Sequence, residues 1–433
     1  MIDPFNLHPI INAVGYATRV SGSCPHPDVV AAMSTASGLY FEVDDLLSAA
    51  SAVIRRCTTA EAGIVTSGAS AALSLAAAAC LAGNNPEIMD QLPDVFGCPR
   101  DEIIYPKPGP FDYDHAIRLS GAKTVFVDYR APDALRQIEL AINSRTAAIG
   151  YVWLRMDEKP DLRSLAELAH RCGLPLIVDA ACALPPKQNL TEFTQCGADL
   201  VAYSGGKHLG GPQASGILCG RADLVRSAWV QMVDMDVREG TWSLQHWVSS
   251  GWLSRAPRHG IGRCMKVSKE SIVGVIAALE RYADRDPDEE YNLWKSRIDT
   301  IFAGISELPE LRVTVCSHGM NGQPYPNLQI ESGDSKKGMT VRELLLALRQ
   351  RHPAAQPDLA DNSGPAESQG FGSSTIATTQ PSGKLSRNII LAEDEQSPDR
   401  AFLYAQCLQP GDAEEIVFAI RQAVTTFRDR IRT

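Results

Sequence analysis

The sequence predicts an α/β fold, with a large domain on a mostly parallel sheet followed by a smaller α+β C-terminal domain. Three observations carry this prediction. Short β-rich runs alternate with helical patterns from about residue 51 to residue 220. Small or acidic residues follow several of these runs, at the strand ends where open α/β sheets place ligands. Beyond residue 269 a long helical stretch leads out of the alternating region.

The β-rich runs are AGIVT (62–66), DEIIY (101–105), KTVFV (123–127), AAIGYVWL (147–154), LPLIVDA (174–180), DLVAYSGG (199–206) and SGILCG (215–220). Helical patterns lie between them. Over 161–172, Leu162, Leu165, Leu168 and Ala169 share one helical face. Strands alternating with helices indicate crossovers between parallel strands. A helix over 269–282, the polar ADRDPDEE stretch and a second helix over 291–308 carry the chain toward another domain. There, 311–316 and 327–331 read as strands, and 340–351 and 412–430 as helices. Residues 352–386, rich in Pro, Ser, Gly, Ala and Gln, read as a loop or insertion. The stretch before residue 50 has few regular patterns and reads as an arm. The expected organisation is therefore an arm at 1–50, a large domain at 51–285 and a small domain at 286–433.

Composition narrows the function classes. The 433 residues are 44% hydrophobic and 21% charged, ordinary for a globular chain of two or three packed units. A net charge of −10 without a long basic run disfavours a nucleic-acid partner. MIDPFNLHPI lacks a basic segment followed by an apolar run, so no secretory signal is expected. The longest apolar stretch, 69–81, is too short to span a bilayer. Eleven cysteines without a C-x-x-C pair indicate reduced thiols, a cytoplasmic protein and no metal site.

Three short segments carry the chemistry. Thr66-Ser67-Gly68-Ala69-Ser70 joins a strand to an alanine-rich helix. A small-residue turn there leaves backbone N–H groups aimed at an anion, although a simple helix start looks the same. Asp179 ends LPLIVDA, where a carboxylate serves either a ligand or a turn. Lys207 sits in Ser204-Gly205-Gly206-Lys207-His208-Leu209-Gly210-Gly211-Pro212-Gln213. Paired glycines on both sides let the backbone turn sharply and leave room for a planar group. Together the segments suit pyridoxal 5′-phosphate (PLP), which needs a phosphate anchor, an acid beside its ring nitrogen and a lysine for a Schiff base. Lys207, released by substrate, would then move the Cα proton.

The order of these segments resembles the fold-type-I, aspartate aminotransferase-like PLP-dependent transferase fold. More narrowly, the chain is similar to the selenocysteine synthase-like branch that includes D-glucosaminate-6-phosphate ammonia-lyase. The similarity rests on Ile11-Asn12-Ala13-x-Gly15, Ser67-Gly68-Ala69, Tyr113-Asp114-His115-Ala116-Ile117 and Gly205-Gly206-Lys207-x-Leu209-Gly210-Gly211-Pro212-Gln213. Gly262-Arg263-x-Met265-Lys266-Val267-x-Lys269-Glu270 completes the set, which spans most of residues 10–285. The resemblance implies Lys207 as the Schiff-base lysine and Asp179 as the ring-nitrogen partner. It implies Ser67, Gly68, Ala69 and Ser204 as phosphate contacts, and Arg19, Arg263 and Lys269 as candidates for a substrate anion. It also implies a homodimer or larger assembly with sites at the subunit interface.

One stretch departs from the branch. Tyr105-Pro106-Lys107-Pro108-Gly109-Pro110-Phe111 puts Gly109 where relatives carry an imidazole that stacks on the cofactor. Either Phe111 or Tyr105 takes that place, or the ring face is open to a different substrate. The expected activity is a lyase acting at Cα/Cβ of an amino acid or amino sugar acid, by ammonia loss or β-elimination. Racemase, aminotransferase and aldolase chemistry use the same cofactor and lysine. Selenocysteine synthase activity on charged tRNA is disfavoured by the acidic charge and by the short segment before the large domain.

Overall fold

A computed structural model of the chain describes residues 8–109, 113–153, 160–319, 322–333, 338–349, 387–394 and 396–432. Its strands fall into two sheets, one in each of two units. Tyr16–Tyr291 with His318–Tyr325 form the larger unit, and Met1–Gly15, Asn292–Ser317 and Pro326–Thr433 the smaller. The stretch expected as an arm thus divides after Gly15. The insertion expected at 352–386 lies outside the described residues.

Strand β1 (Ile11–Ala13) belongs to the smaller unit. Each β-rich run from 62 to 220 then becomes a strand of the larger one. These are β2 (Ala62–Thr66), β3 (Glu102–Pro106), β4 (Lys123–Val127), β5 (Thr146–Val152), β6 (Leu176–Asp179), β7 (Leu200–Ser204) and β8 (Gly216–Gly220). They form one sheet in the order β2-β8-β7-β6-β5-β3-β4. The pairs from β4 to β7 are parallel, and β8 runs antiparallel to both β7 and β2. All residues of β5 and β6 are buried, which is why their sequences are continuous apolar runs and not alternating ones.

The helix Ala69–Ala82 is buried without a break from Ala72 to Ala79. Alanine side chains permit this close enclosure. Its one buried hydroxyl in that run, Ser74, donates to the Ala116 carbonyl at 2.7 Å, so it is not left unsatisfied. The helix Leu162–Arg171 starts where Asp161 accepts from the Ser164 N–H at 3.0 Å, and it buries Leu165, Ala166, Leu168 and Ala169.

Before residue 50 the chain holds regular structure that the sequence reading did not assign. Pro27–Ser37 is a helix capped by His26, and Val43–Thr58 is a second helix burying Leu47, Ala50, Ile54 and Thr58. That last spacing is the amphipathic stripe of a surface helix, present in VDDLLSAASAVIRRCT.

In the smaller unit β9 (Leu311–Cys316), β10 (Asn327–Ser332), β11 (Ile389–Glu393) and β12 (Arg400–Tyr404) join β1 in the order β1-β11-β12-β10-β9. The pair β1–β11 is parallel and the others antiparallel. The helix Asp412–Arg432 is fixed to this unit by Arg387, which bonds Asp412 and Glu415 at 2.7 Å each, and by Arg428 on Glu310. Among the described residues no helix is long and apolar enough to cross a membrane.

Candidate active site

Sheet register brings the distant segments together. Thr66 on β2 faces Gly216 on β8, and Gly216 in turn faces Ser204 on β7. On the other side of β7, Ala202 faces Asp179, the last residue of β6. The ends of β2, β6 and β7 therefore share one edge of the sheet. That edge is where a ligand of an open α/β sheet sits.

The turn after β2 depends on a glycine from another strand. A Cβ on Gly216 would lie 2.4 Å from the Gly68 carbonyl carbon and 2.7 Å from the Ala69 nitrogen. Only a bare Cα lets the Ser67-Gly68 turn pack against β8. Thr66 donates its hydroxyl proton to the Gly68 carbonyl at 2.9 Å, tightening the turn. No side chain caps the first turn of the helix Ala69–Ala82. Its N–H groups and the Ser67 hydroxyl are thus suited to an anion.

Lys207 follows β7 through Gly205 and Gly206. The Gly205 N–H donates to the Ser215 carbonyl and the Gly211 N–H to the Gly205 carbonyl, both at 2.9 Å, folding the loop on itself. A Cβ on Gly206 would stand 2.4 Å from the Gln213 Cα, so this fold also requires glycine. The segment carrying Arg19 lies against this loop: Ser23 donates to the Gly206 carbonyl at 3.0 Å, and Gln213 to the Thr18 carbonyl at 3.4 Å. Arg19 itself is exposed.

The Lys207 Nζ donates to the Cys182 Sγ at 2.9 Å. Burial pulls the lysine's proton affinity down, but Cys182 beside it, Asp179 and Tyr113 outweigh burial, so its pKa stands above the ordinary lysine value. Asp179 is buried, and its Oδ1 accepts from the Ala181 N–H at 3.0 Å. Tyr113 opens the short helix Asp114–Arg118, whose sequence belongs to the motif at 113–117.

His208, next to Lys207, is held on both ring nitrogens. Nδ1 lies 2.6 Å from the Tyr16 hydroxyl and Nε2 lies 3.1 Å from Glu290. Tyr282 packs edge-on against the same ring. Neither this network nor Cys182 was anticipated from sequence. A clue to Cys182 existed in its place three residues after Asp179, where the strand has ended and side chains turn toward the sheet edge. His208 carried no local signal, since its partners lie at residues 16 and 290.

The other substrate candidates have partners within the chain. Arg263 bonds Asp234 at 2.6 Å, and Lys269 bonds the Ser37 carbonyl at 3.0 Å and Glu270 at 2.8 Å. Tyr105, one of the stacking candidates, is buried in β3 with its ring against Gly150 of β5. Phe111 lies outside the described residues. All the cysteines are free thiols.

The donors on this edge fit PLP. An uncapped helix start with Ser67 and Ser204 suits a phosphate, a buried carboxylate at Asp179 suits a protonated ring nitrogen, and the Lys207 amine suits an aldehyde.

Residues 48–204 match the DegT/DnrJ/EryC1/StrS aminotransferase family. The chain is 31% identical over 283 residues to D-glucosaminate-6-phosphate ammonia lyase of Salmonella typhimurium, spanning 64% of this chain and 68% of that protein. It is 29% identical over 312 residues to 5′-C-glycyluridine monooxygenase-decarboxylase of a Streptomyces species, spanning 70% of each. A solved structure of D-glucosaminate-6-phosphate ammonia-lyase superposes with a TM-score of 0.74 and 24% identity over 98% of both chains, a likeness of fold.

Proposed function

We propose, from the premise that the chain belongs to the fold-type-I PLP-dependent enzymes of the selenocysteine synthase and D-glucosaminate-6-phosphate ammonia-lyase branch, that it is a lyase acting at Cα and Cβ of an amino acid or amino sugar acid. The observation that carries the reading is the shared sheet edge: Lys207 Nζ sits within the influence of Asp179, on the same edge as the Ser67-Gly68 turn and Ser204.

In this reading Ser67, Gly68, Ala69 and Ser204 hold the phosphate, Asp179 faces the ring nitrogen, and the Lys207 amine holds the aldehyde carbon. When bound, PLP supplies a protonated ring that draws electrons from the substrate Cα. The Asp179 carboxyl, buried at the end of β6, would face that nitrogen and hold its proton in place. The Lys207 Nζ, when free and neutral, would accept the Cα proton and hold it for return. Arg19 is exposed on a segment laid against the lysine loop, which supports a role in gripping a substrate anion. Arg263 and Lys269 take part only by exchanging Asp234 and Glu270 for substrate. The reading includes a homodimer or larger assembly, a cytoplasmic location and a free small-molecule substrate.

The test is a panel of D- and L-amino acids and amino sugar acids given to the PLP-loaded protein. Absorbance shifts, ammonia release, carbon dioxide release and oxygen uptake are followed together. Ammonia release from one panel member, without oxygen uptake, is the expected result. Decarboxylation coupled to oxygen uptake would replace the lyase reading with chemistry of the kind that the Streptomyces relative's name describes.

A further inference from the structure

We propose that Cys182 is the residue that docks the Lys207 amine whenever that amine is not bonded to the cofactor, fixing where it rests. The proposal rests on the reading of Lys207 as the cofactor lysine and adds a positioning residue to it.

The first observation is the contact itself. Lys207 Nζ lies 2.9 Å from Cys182 Sγ, and the lysine belongs to a loop that is tied down at both ends. A free lysine has four rotatable bonds, and leaving it undocked would spread the amine over many positions. Sulfur at this distance holds it in one place.

The second observation is how firmly Cys182 is set. The residues of its turn are bonded both within the turn and, through Gln323 and Asn189, to other parts of the larger unit. Ala181 donates to Asp179 at 3.0 Å, and Gln323 donates to the Cys182 carbonyl at 2.9 Å. Asn189 donates to the Ala183 carbonyl at 2.7 Å, and the Ala183 N–H donates to the Ala180 carbonyl at 3.0 Å. Gln323 is itself buried, and the Tyr325 hydroxyl donates to its side-chain oxygen at 3.4 Å. A turn built to this degree aims the thiol, which points at Lys207.

The third observation concerns charge. The groups that act on the Lys207 amine are Cys182 from the turn after β6, Asp179 from β6 and Tyr113 from the start of the helix Asp114–Arg118. The neighbouring His208 is held by Tyr16 and Glu290. Asp179 is reserved for the ring nitrogen when the cofactor is present. Of the remaining groups, Cys182 is the one in hydrogen-bond contact with the amine. Burial alone would make this lysine an easily neutralised amine, and the sulfur beside it opposes that tendency.

The experiment uses the full chain as wild type, Cys182→Ala and Cys182→Ser. Labelling of Lys207 by an amine-reactive reagent is read by peptide mass spectrometry from neutral to alkaline pH, without PLP. The rate at which added PLP becomes borohydride-reducible on Lys207 is read over the same range, and thermal unfolding of each variant reports folding. In Cys182→Ala both profiles should move to lower pH, with labelling at neutral pH several-fold faster than in wild type. Cys182→Ser keeps a hydrogen-bond acceptor at the site, so it should show a smaller shift in the same direction. It carries the test if the alanine variant does not fold. Superimposable profiles in folded variants, with PLP still found on Lys207, would overturn the docking role and leave the cofactor reading standing. Reduced PLP found on a different residue of the wild type would overturn both.

Discussion

The His208 Nε2 stands 3.1 Å from the Glu290 carboxylate, and the two side chains keep only 2% and 15% of their exposure. The Tyr16 hydroxyl closes the opposite side of the imidazole at 2.6 Å, and Arg285 pairs with the other Glu290 oxygen. The residue after Lys207 is thereby anchored from two separate segments of the larger unit, one at Tyr16 and one at 285–290. Such an anchor leaves the lysine loop little freedom to shift while the amine itself moves.

Breaking that anchor should cost stability. His208→Ala leaves Tyr16 and Glu290 short of a buried partner, a loss of about 2–3 kcal/mol by chemical denaturation. Glu290→Gln should cost less, and its effect should depend on pH. Burial alone would raise the Glu290 pKa, but His208 and Arg285 outweigh it and hold the carboxyl below its ordinary value of 4.5. The unfolded chain therefore takes up this proton first as pH falls. The Glu290 contribution is complete above that ordinary value and fades as pH drops through the lower folded one. The stability gap between wild type and Glu290→Gln should narrow in acid; a gap that is the same at neutral and acid pH would contradict the assigned ion pairing.

PLP-loaded wild type should be yellow, with a band that borohydride removes, and Lys207→Ala should show no such band. The expectation follows from the placement of Lys207 Nζ close enough to Asp179 and Tyr113 for both to act on its charge. A reducible cofactor link on another lysine in that variant would refute the assignment.

Asp179→Asn should retain PLP and lose activity by about 10²-fold or more. The amide oxygen can still accept the Ala181 N–H, so the turn survives, while the carboxylate proposed to face the ring nitrogen is gone. Turnover close to wild type, measured on the substrate found in the panel, would reduce Asp179 to a turn residue.

Gly216→Ala tests the proposed phosphate turn without replacing any residue in it. The added methyl group would meet Gly68 and Ala69 backbone atoms at 2.4 and 2.7 Å, so the turn must move. A stability loss of about 1–3 kcal/mol is expected, together with weaker PLP binding in an equilibrium titration. Unchanged PLP affinity would mean that the Ser67-Gly68 turn does not hold the phosphate.

No tRNA binding above the non-specific level is expected, even though the branch invites the test. Asp and Glu number 51 against 41 Lys and Arg. Within the basic stretch 255–263, Arg255 pairs with Asp90 and Arg263 with Asp234, so much of its charge is already spent. A gel shift of bulk tRNA that weakens steeply from low to physiological salt would revive the RNA reading.

The parts of the site that were legible in the sequence are those with local signatures. Glycines around Lys207, small residues after AGIVT and an acid closing LPLIVDA each announce a backbone requirement or a strand end within a few residues. The buried strands were equally legible, because burial on both faces leaves an unbroken apolar run. The helix at 27–37 was missed because it buries only Val29 and Ala36 and so shows no apolar stripe, and the helix at 43–58 because its apolar stripe is narrow.

By itself, then, the amino-acid order determined which residues could carry PLP chemistry and which segments would be strands, because those properties are local in the chain. Only the tertiary structure decided what surrounds the lysine. The register of β2, β8 and β7 aligned Thr66, Gly216 and Ser204, and the fold set Cys182 against Lys207 and Glu290 against His208. Those contacts join residues 12 to 150 positions apart in sequence. Hydrogen bonds and charge act over a few ångströms of space, so no spacing along the chain could have revealed them.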